Sequence, residues 1–186
     1  MLAPIDVTDV RIETERLILR PWQESDLEDL YTYASVEGVG EMAGWSCHRS
    51  REESLFILNS FIEHKKTLAL ELKENGCVIG SLGIEKYKLD DFDEPDLYGR
   101  ELGYVLSKEH WGKGLMPEAV KAVIDYCFSI LRYDFLLCAH FSRNDQSRRV
   151  IEKSGFTYVK DIFHETRFGS IEPTKLYVLY NPALER

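Results

Sequence analysis

The residues best suited to chemistry form a glycine-rich turn between a strand and a helix. Gly99–Ser107 (GRELGYVLS) alternates as a strand, Trp111-Gly112-Lys113-Gly114-Leu115-Met116 makes the turn, and Pro117 suits the first turn of a following helix. Glycines at 112 and 114 let the backbone come close to a ligand. A helix start leaves its first N–H groups without internal partners and carries partial positive charge. Together these suit a phosphate or diphosphate; the competing reading is a plain structural turn. A P-loop is excluded, because Gly114 is followed by Leu115 and not by Lys and Ser/Thr. A dinucleotide fingerprint is excluded too, because Gly112-x-Gly114 runs on to Pro117 where the third glycine should stand.

The elements that must position this turn can be read around it. Arg11–Arg20 reads as a first strand and Ser25 as the cap of a short first helix carrying Leu27, Leu30 and Tyr31. Ser50 with Glu53 forms a capping box for a second helix to about Lys66. Thr67–Lys73 and Cys77–Lys86 read as a hairpin about Asn75-Gly76, and Asp90–Asp96 as an acidic loop. The helix after the turn places Ala119, Val120, Val123, Cys127, Ile130 and Leu131 on one side. Asp134–Phe141 reads as an apolar strand, and Asn144 caps a short helix that ends at Gly155. Strands at 156–166 and 174–180 close the chain. The order is mixed α/β, in one domain, since 186 residues fall within the roughly 100–200 of a typical domain.

Composition removes several classes of function. Hydrophobic residues at 44% and charged residues at 30% are ordinary globular values, which rules out collagen-like, low-complexity and wholly disordered readings. Thirty-two acidic against 23 basic side chains leave a net charge of −9, which repels phosphate backbones and argues against nucleic-acid partners. No apolar run is long enough to span a membrane, and the first ten residues do not read as a signal peptide. Cys47, Cys77, Cys127 and Cys138 form no Cys-x-x-Cys pair, so a zinc or redox motif is not expected. A soluble protein of a reducing cytoplasm, monomer or homodimer, is the expectation.

Three blocks resemble the GCN5-related N-acetyltransferases, and within them the RimJ/RimL-type branch. IETERLILRPWQESDLEDLY (12–31) is similar to that branch's opening strand and helix. ELGYVLSKEHWGKGLMPEA (101–119) resembles the acyl-CoA diphosphate motif, with Trp111 where the wider family has Gln or Arg and Met116 where it prefers Gly or Ala. NDQSRRVIEKSGF (144–156) is similar to the branch's N-x-x-S-x-x-V-x-x-K-x-G-F. The blocks stand in family order and cover about 11–180.

The resemblance implies a twisted, mainly antiparallel sheet of six to seven strands with about four helices, in which the strands at 99–107 and 134–141 splay apart. Acetyl-CoA is the implied cosubstrate and an amine, small or at a protein N-terminus, the implied acceptor. The pantetheine arm would pair with backbone near Tyr104, Val105 and Leu106. The diphosphate would sit on the N–H groups of Trp111, Gly112, Lys113, Gly114, Leu115 and Met116. Asn144 would hold the pantetheine arm through its amide, and Ser147 would lie near the cofactor sulfur. Trp45, Cys47 and His48 lie in the segment that lines the acceptor side in the family. A non-catalytic acyl-CoA-binding module is the alternative.

Acetyl transfer to an amine requires a base, direct or through water, because only the neutral amine attacks. It also requires N–H donors for the developing oxyanion and a group to stabilise or protonate the leaving thiolate; no metal is needed. Glu101 is the first choice for base, since by alternation it shares a face with Gly103 and Val105. The competing reading pairs it with Arg100 or a lysine at a strand edge. His140 is the second candidate, against a core role suggested by alternation with Leu136 and Cys138. Ser147 is the candidate acid for the thiolate, against helix-capping chemistry. Lys113, Arg148 and Lys153 could reach phosphates, and the loop 90–96 could steer a cationic acceptor.

Overall fold

The computed structural model describes residues 1–88 and 90–184. One sheet of eight strands runs in the order β1-β2-β3-β4-β5-β6-β8-β7. The strands are β1 Ile12–Glu13, β2 Leu17–Pro21, β3 Thr67–Leu72, β4 Val78–Glu85, β5 Gly99–Leu106, β6 Phe135–Phe141, β7 Thr157–Glu165 and β8 Ile171–Tyr180. The helices are α1 Leu27–Ala34, α2 Arg51–His64, α3 Leu115–Ser129 and α4 Asp145–Lys153. Every neighbouring pair is antiparallel except β5 with β6, which is parallel.

The strand expected over 11–20 is a hairpin, which makes the count eight. Thr14 closes it: its N–H donates to Leu17 O at 2.9 Å and its hydroxyl accepts from Leu17 N–H at 2.9 Å. A side chain that bonds its own local backbone favours a turn over continued strand. Ser25 is not the cap of the first helix. It lies in a 3-10 turn, Glu24–Asp26, where the Asp26 carboxylate accepts from Gln23 N–H at 2.9 Å and pairs with Arg20 at 2.8 Å. Ile130 lies past the end of α3 and is exposed. β8 begins three residues before the expected Thr174. Those residues pair only with β7, so Pro173, which has no N–H, stands where no β6 ladder asks for one.

The two faces of the sheet are covered differently. On one, α3 and α4 bury Leu68, Leu70, Leu82, Leu102, Leu136 and Cys138 beneath Ala119, Val123 and Ile151. On the other, α1 and α2 cover the β2–β4 half through Trp22, Leu30, Leu58 and Ala69. The β6–β8 half of that second face is covered separately by Tyr87 and Phe92 over Phe135, Leu137, Leu176 and Val178. Between these clusters lies β5, with Glu101 half-buried and Gly103 exposed. This gap in the second face positions the site.

Candidate active site

The β5–β6 pair opens into a cleft. Register runs from Gly99–Phe135 to Leu102–Cys138 and stops there, while β5 stays paired to β4 as far as Leu106–Gly80. The Cys138 thiol donates to Leu102 O at 3.3 Å, so Leu102 turns its carbonyl toward β6. Ser107 N–H donates to Ile79 O at 2.7 Å, so the odd-numbered residues turn toward β4. By strand alternation the backbone groups of Tyr104 and the N–H of Leu106 line the open side, and those of Val105 face β4. The Leu106 carbonyl accepts from Trp111 Nε1 at 2.8 Å, which fixes the indole against the end of the strand.

At the mouth of the cleft lies the glycine turn. Gly112 has φ +75° and Gly114 φ +79°, and Gly114 is the residue from which α3 starts. Among the described residues the N–H groups of Gly112, Lys113, Gly114, Leu115 and Met116 donate to no acceptor of the protein, whereas Trp111 N–H donates to Lys108 O at 3.3 Å. Five consecutive unengaged amides at a helix start have the chemistry of an anion site, and the Trp111 N–H, expected among them, is engaged instead. The Leu115 and Met116 side chains are buried in the core under α3, so only their amides are available. Trp111 and Met116 therefore differ from the wider family at side chains that pack against the protein. Lys113 is exposed, and its carbonyl accepts from Arg16 Nη1 at 2.9 Å.

Across the cleft, α4 is capped by Asn144, whose Oδ1 accepts from Ser147 N–H at 3.1 Å. The Asn144 amide nitrogen donates to Met42 O at 3.2 Å, which leaves one N–H and one lone pair for a ligand. Ser147 Oγ lies 2.9 Å from the Tyr104 hydroxyl, which also donates to Ser147 O at 3.2 Å. Burial holds the Tyr104 pKa well above that of a free phenol. Arg148 is held by Asp145 and Glu152 on its own helix.

Glu101 carries an unpaired carboxylate on the second face. No hydrogen bond or ion pair engages it among the described residues; Arg100 donates instead to Ala3 O at 2.6 Å, and Lys66 pairs with Glu85. Its pKa is pushed up to about 7, first by burial and then by the negative charges of Asp91 and Glu85, with Lys88 opposing. Asp91 belongs to the acidic loop, which Phe92 anchors over Phe135 with ring centroids 5.0 Å apart. His140 lies buried on the opposite face, with Nδ1 on Phe141 O at 2.8 Å and Nε2 on the Tyr177 hydroxyl at 3.2 Å. Both ring nitrogens are engaged, as in a satisfied core histidine.

The segment 36–49 crosses from one arm of the cleft to the other. Lys108, just after β5, donates to Glu37 O at 3.3 Å; Arg143 and Asn144, just after β6, donate to Glu41 O at 3.0 Å and to Met42 O at 3.2 Å. Trp45 and His48 pack against each other within it, with ring centroids 5.1 Å apart and planes tilted by 46°. His48 is buried, its Nδ1 lies 2.8 Å from Ser54 Oγ, and burial lowers its pKa. Its ring is engaged with Ser54, and Cys47 is a half-exposed free thiol beside it.

Arg16, Thr14 and Glu118, which reading along the chain does not single out, lie against the glycine turn through the Lys113 carbonyl. Arg16 N–H and Glu118 meet across 102 positions, so no local spacing signals them. Among the described residues no three His, Cys, Asp or Glu side chains are grouped to hold a metal ion, and no helix is long and apolar enough to cross a membrane.

The cleft, the free amides and the mixed sheet define an acetyltransferase fold, and the chain belongs to the GNAT acetyltransferases: the family profile described as "Acetyltransferase (GNAT) domain" matches residues 16–157. YoaA of Bacillus subtilis, an uncharacterized N-acetyltransferase, is 27% identical over 154 residues, covering 78% of this chain and 81% of its own. Solved structures share the fold, two among them as follows. A GNAT-family acetyltransferase from Bacillus anthracis superposes with a TM-score of 0.79 at 21% identity, over 92% of this chain and 99% of its own. The ribosomal-protein-S5-alanine acetyltransferase of Vibrio fischeri gives 0.73 at 22% identity, over 96% and 100%.

Proposed function

We propose that this protein transfers the acetyl group of acetyl-CoA to a primary amine, by direct attack of the neutral amine on the thioester. The observation that carries the reading is the row of unengaged N–H groups from Gly112 to Met116 at the open end of the β5–β6 cleft. Those amides hold the diphosphate. The Tyr104 carbonyl and the Leu106 N–H pair with the pantetheine arm as an added strand would, with Asn144 offering its remaining N–H. Val105 contributes through its place in the strand, and Trp111 by bracing Leu106 O. Acetyl-CoA supplies the activated acyl group; the rest is done by backbone and side-chain groups of this chain.

Glu101 takes the amine proton, directly or through one water. A carboxylate titrating near 7 is ionised often enough at neutral pH to act and is basic enough to be useful. The Tyr104 hydroxyl, paired with Ser147, faces the departing thiolate and donates its proton. The Tyr104 N–H, on the open side of β5, is a preorganised donor for charge gathering on the carbonyl oxygen, which leaves the Tyr104 carbonyl and the Leu106 N–H to the pantetheine arm. Glu85, Asp91 and Glu101 lie together on the acceptor side, which favours an amine that arrives as a cation. The Vibrio fischeri relative is a ribosomal-protein-S5-alanine acetyltransferase; a protein α-amine and a small amine both meet this requirement here.

Calorimetry with CoA, followed by thiol-release assays with acetyl-CoA across amines and N-terminal peptides, tests the reading. Binding and acceptor-dependent release are expected. No CoA binding at millimolar ligand would overturn it, and tight binding without turnover on any acceptor would favour a binding module instead.

A further inference from the structure

Glu118, in the first turn of α3, is the hub of a set of bonds that the acetyl-transfer scheme does not use. Its Oε1 accepts from the Thr14 hydroxyl at 2.6 Å and from Arg16 N–H at 2.9 Å. Its Oε2 accepts from Arg16 Nε at 2.8 Å and lies 2.7 Å from Arg16 Nη2. The remaining guanidinium nitrogen, Nη1, donates to Lys113 O at 2.9 Å. The β1–β2 turn is thereby fastened to the glycine turn in front of α3.

The geometry at Lys113 makes this more than an anchor. A peptide unit is planar and trans, so the Lys113 carbonyl and the Gly114 N–H point in opposite directions. Holding the carbonyl on Arg16 turns the Gly114 N–H away from Arg16, to the side where the neighbouring amides are free. Gly114, at φ +79°, is conformationally permissive, and without such a tether the 113–114 peptide could rotate. We propose that Arg16, oriented by Glu118 and Thr14, is a positioning residue that sets the Lys113–Gly114 peptide in its diphosphate-binding orientation. The proposal rests on the reading of residues 112–116 as the diphosphate seat. Arg16 acts through the carbonyl it holds, because its charge is already matched by Glu118.

The carbonyl tether and a simple field effect predict opposite signs at Glu118. If Arg16 served only as a positive charge near the diphosphate, Glu118→Gln would remove an opposing negative charge and tighten CoA binding. If Arg16 positions the peptide, Glu118→Gln releases it and weakens binding. Calorimetry with CoA on the full chain reads the sign. Wild type is expected to bind, and Arg16→Gln and Glu118→Gln each to weaken binding about tenfold, the factor that ~1.4 kcal/mol represents. Arg16→Lys, which keeps one donor and the charge, recovers part of the loss. Pantetheine, which lacks the diphosphate, is followed by ligand-observed NMR and should bind all variants alike.

Wild-type binding of CoA together with unchanged or tighter binding by Glu118→Gln overturns the positioning role alone. Equal losses for pantetheine and CoA overturn it too, since they report general damage. Absence of CoA binding by wild type removes the diphosphate seat and the positioning role together. Should Glu118→Gln fail to fold, Thr14→Val, which changes no charge, carries the test: weaker CoA binding supports the role and wild-type affinity overturns it.

Discussion

The Tyr104 hydroxyl lies 2.9 Å from Ser147 Oγ, joining the free arm of β5 to the first turn of α4 across the open cleft. The same two residues hold both walls, and in the proposed reaction they supply the proton for the leaving thiolate. Tyr104→Phe is expected to lower kcat for thiol release by about 10²-fold, the low end for a lost proton donor, with little change in KM for acetyl-CoA. Ser147→Ala should cost less, because the phenol remains and still has Ser147 O as a partner. Steady-state kinetics on both variants measure the difference; equal losses would mean that the serine, and not the tyrosine, delivers the proton.

As the proposed base, Glu101 would set the pH dependence of the reaction. The base must be ionised, so kcat/KM should rise with pH through about 7 and level off above it. Glu101→Gln should lower the plateau by about 10²–10⁴-fold and remove that inflection. Thiol release measured from pH 5.5 to 9 with a fixed amine gives both; an inflection that survives the substitution would assign the proton to another group.

The same shift makes Glu101 a stability element of known sign. Its folded pKa, about 7, lies above the ordinary value of 4.5, so the neutral form favours the folded state. That contribution is complete below pH 4.5 and is lost as pH rises through 7. Glu101→Gln should therefore melt higher than wild type at pH 8 by a few degrees, since ~1 kcal/mol moves the midpoint of a chain this size by about 2–4 °C. The gain should vanish near pH 4.5. Thermal melts at the two pH values check it.

What could be read along the chain was local. The glycine turn, the Asn144 cap and the face shared by Glu101 and Gly103 are fixed by neighbours in sequence, and the structure places them as expected. Ser25 does not cap the first helix because Asp26, one residue on, takes the helix start and pairs with Arg20. The Arg16–Glu118 contact and the approach of Asp91 to Glu101 depend on how distant segments pack, and no spacing encodes them. His140 suits a base or a core role by its strand position alone, and the Tyr177 hydroxyl that engages its Nε2 comes from β8, 37 positions away.

Asn144 has two separable duties. Its oxygen caps α4, and its nitrogen holds Met42 O in the segment that crosses the cleft. Asn144→Ala loses both and should cost about 1 kcal/mol from the cap alone. Asn144→Asp keeps an acceptor for Ser147 N–H but cannot donate to Met42. It should keep wild-type stability while hydrogen exchange quickens at residues 40–45, where Ala43 and Trp45 N–H donate to Gly40 O.

Gly114 tests whether backbone conformation or space governs the proposed diphosphate seat. A Cβ placed there would lie 3.6 Å from Arg16 Nη2, an ordinary contact, so nothing blocks a side chain. What resists substitution is φ +79°, which costs an L-residue about 1–2 kcal/mol. Alanine can escape that cost by rotating out of the left-handed region, and doing so turns the Gly112–Met116 amides out of register. Asparagine tolerates the conformation far better. Gly114→Ala should therefore weaken CoA binding about tenfold or more, whereas Gly114→Asn stays within a few-fold of wild type. Calorimetry with CoA separates them, and equal losses for both would make side-chain bulk the cause.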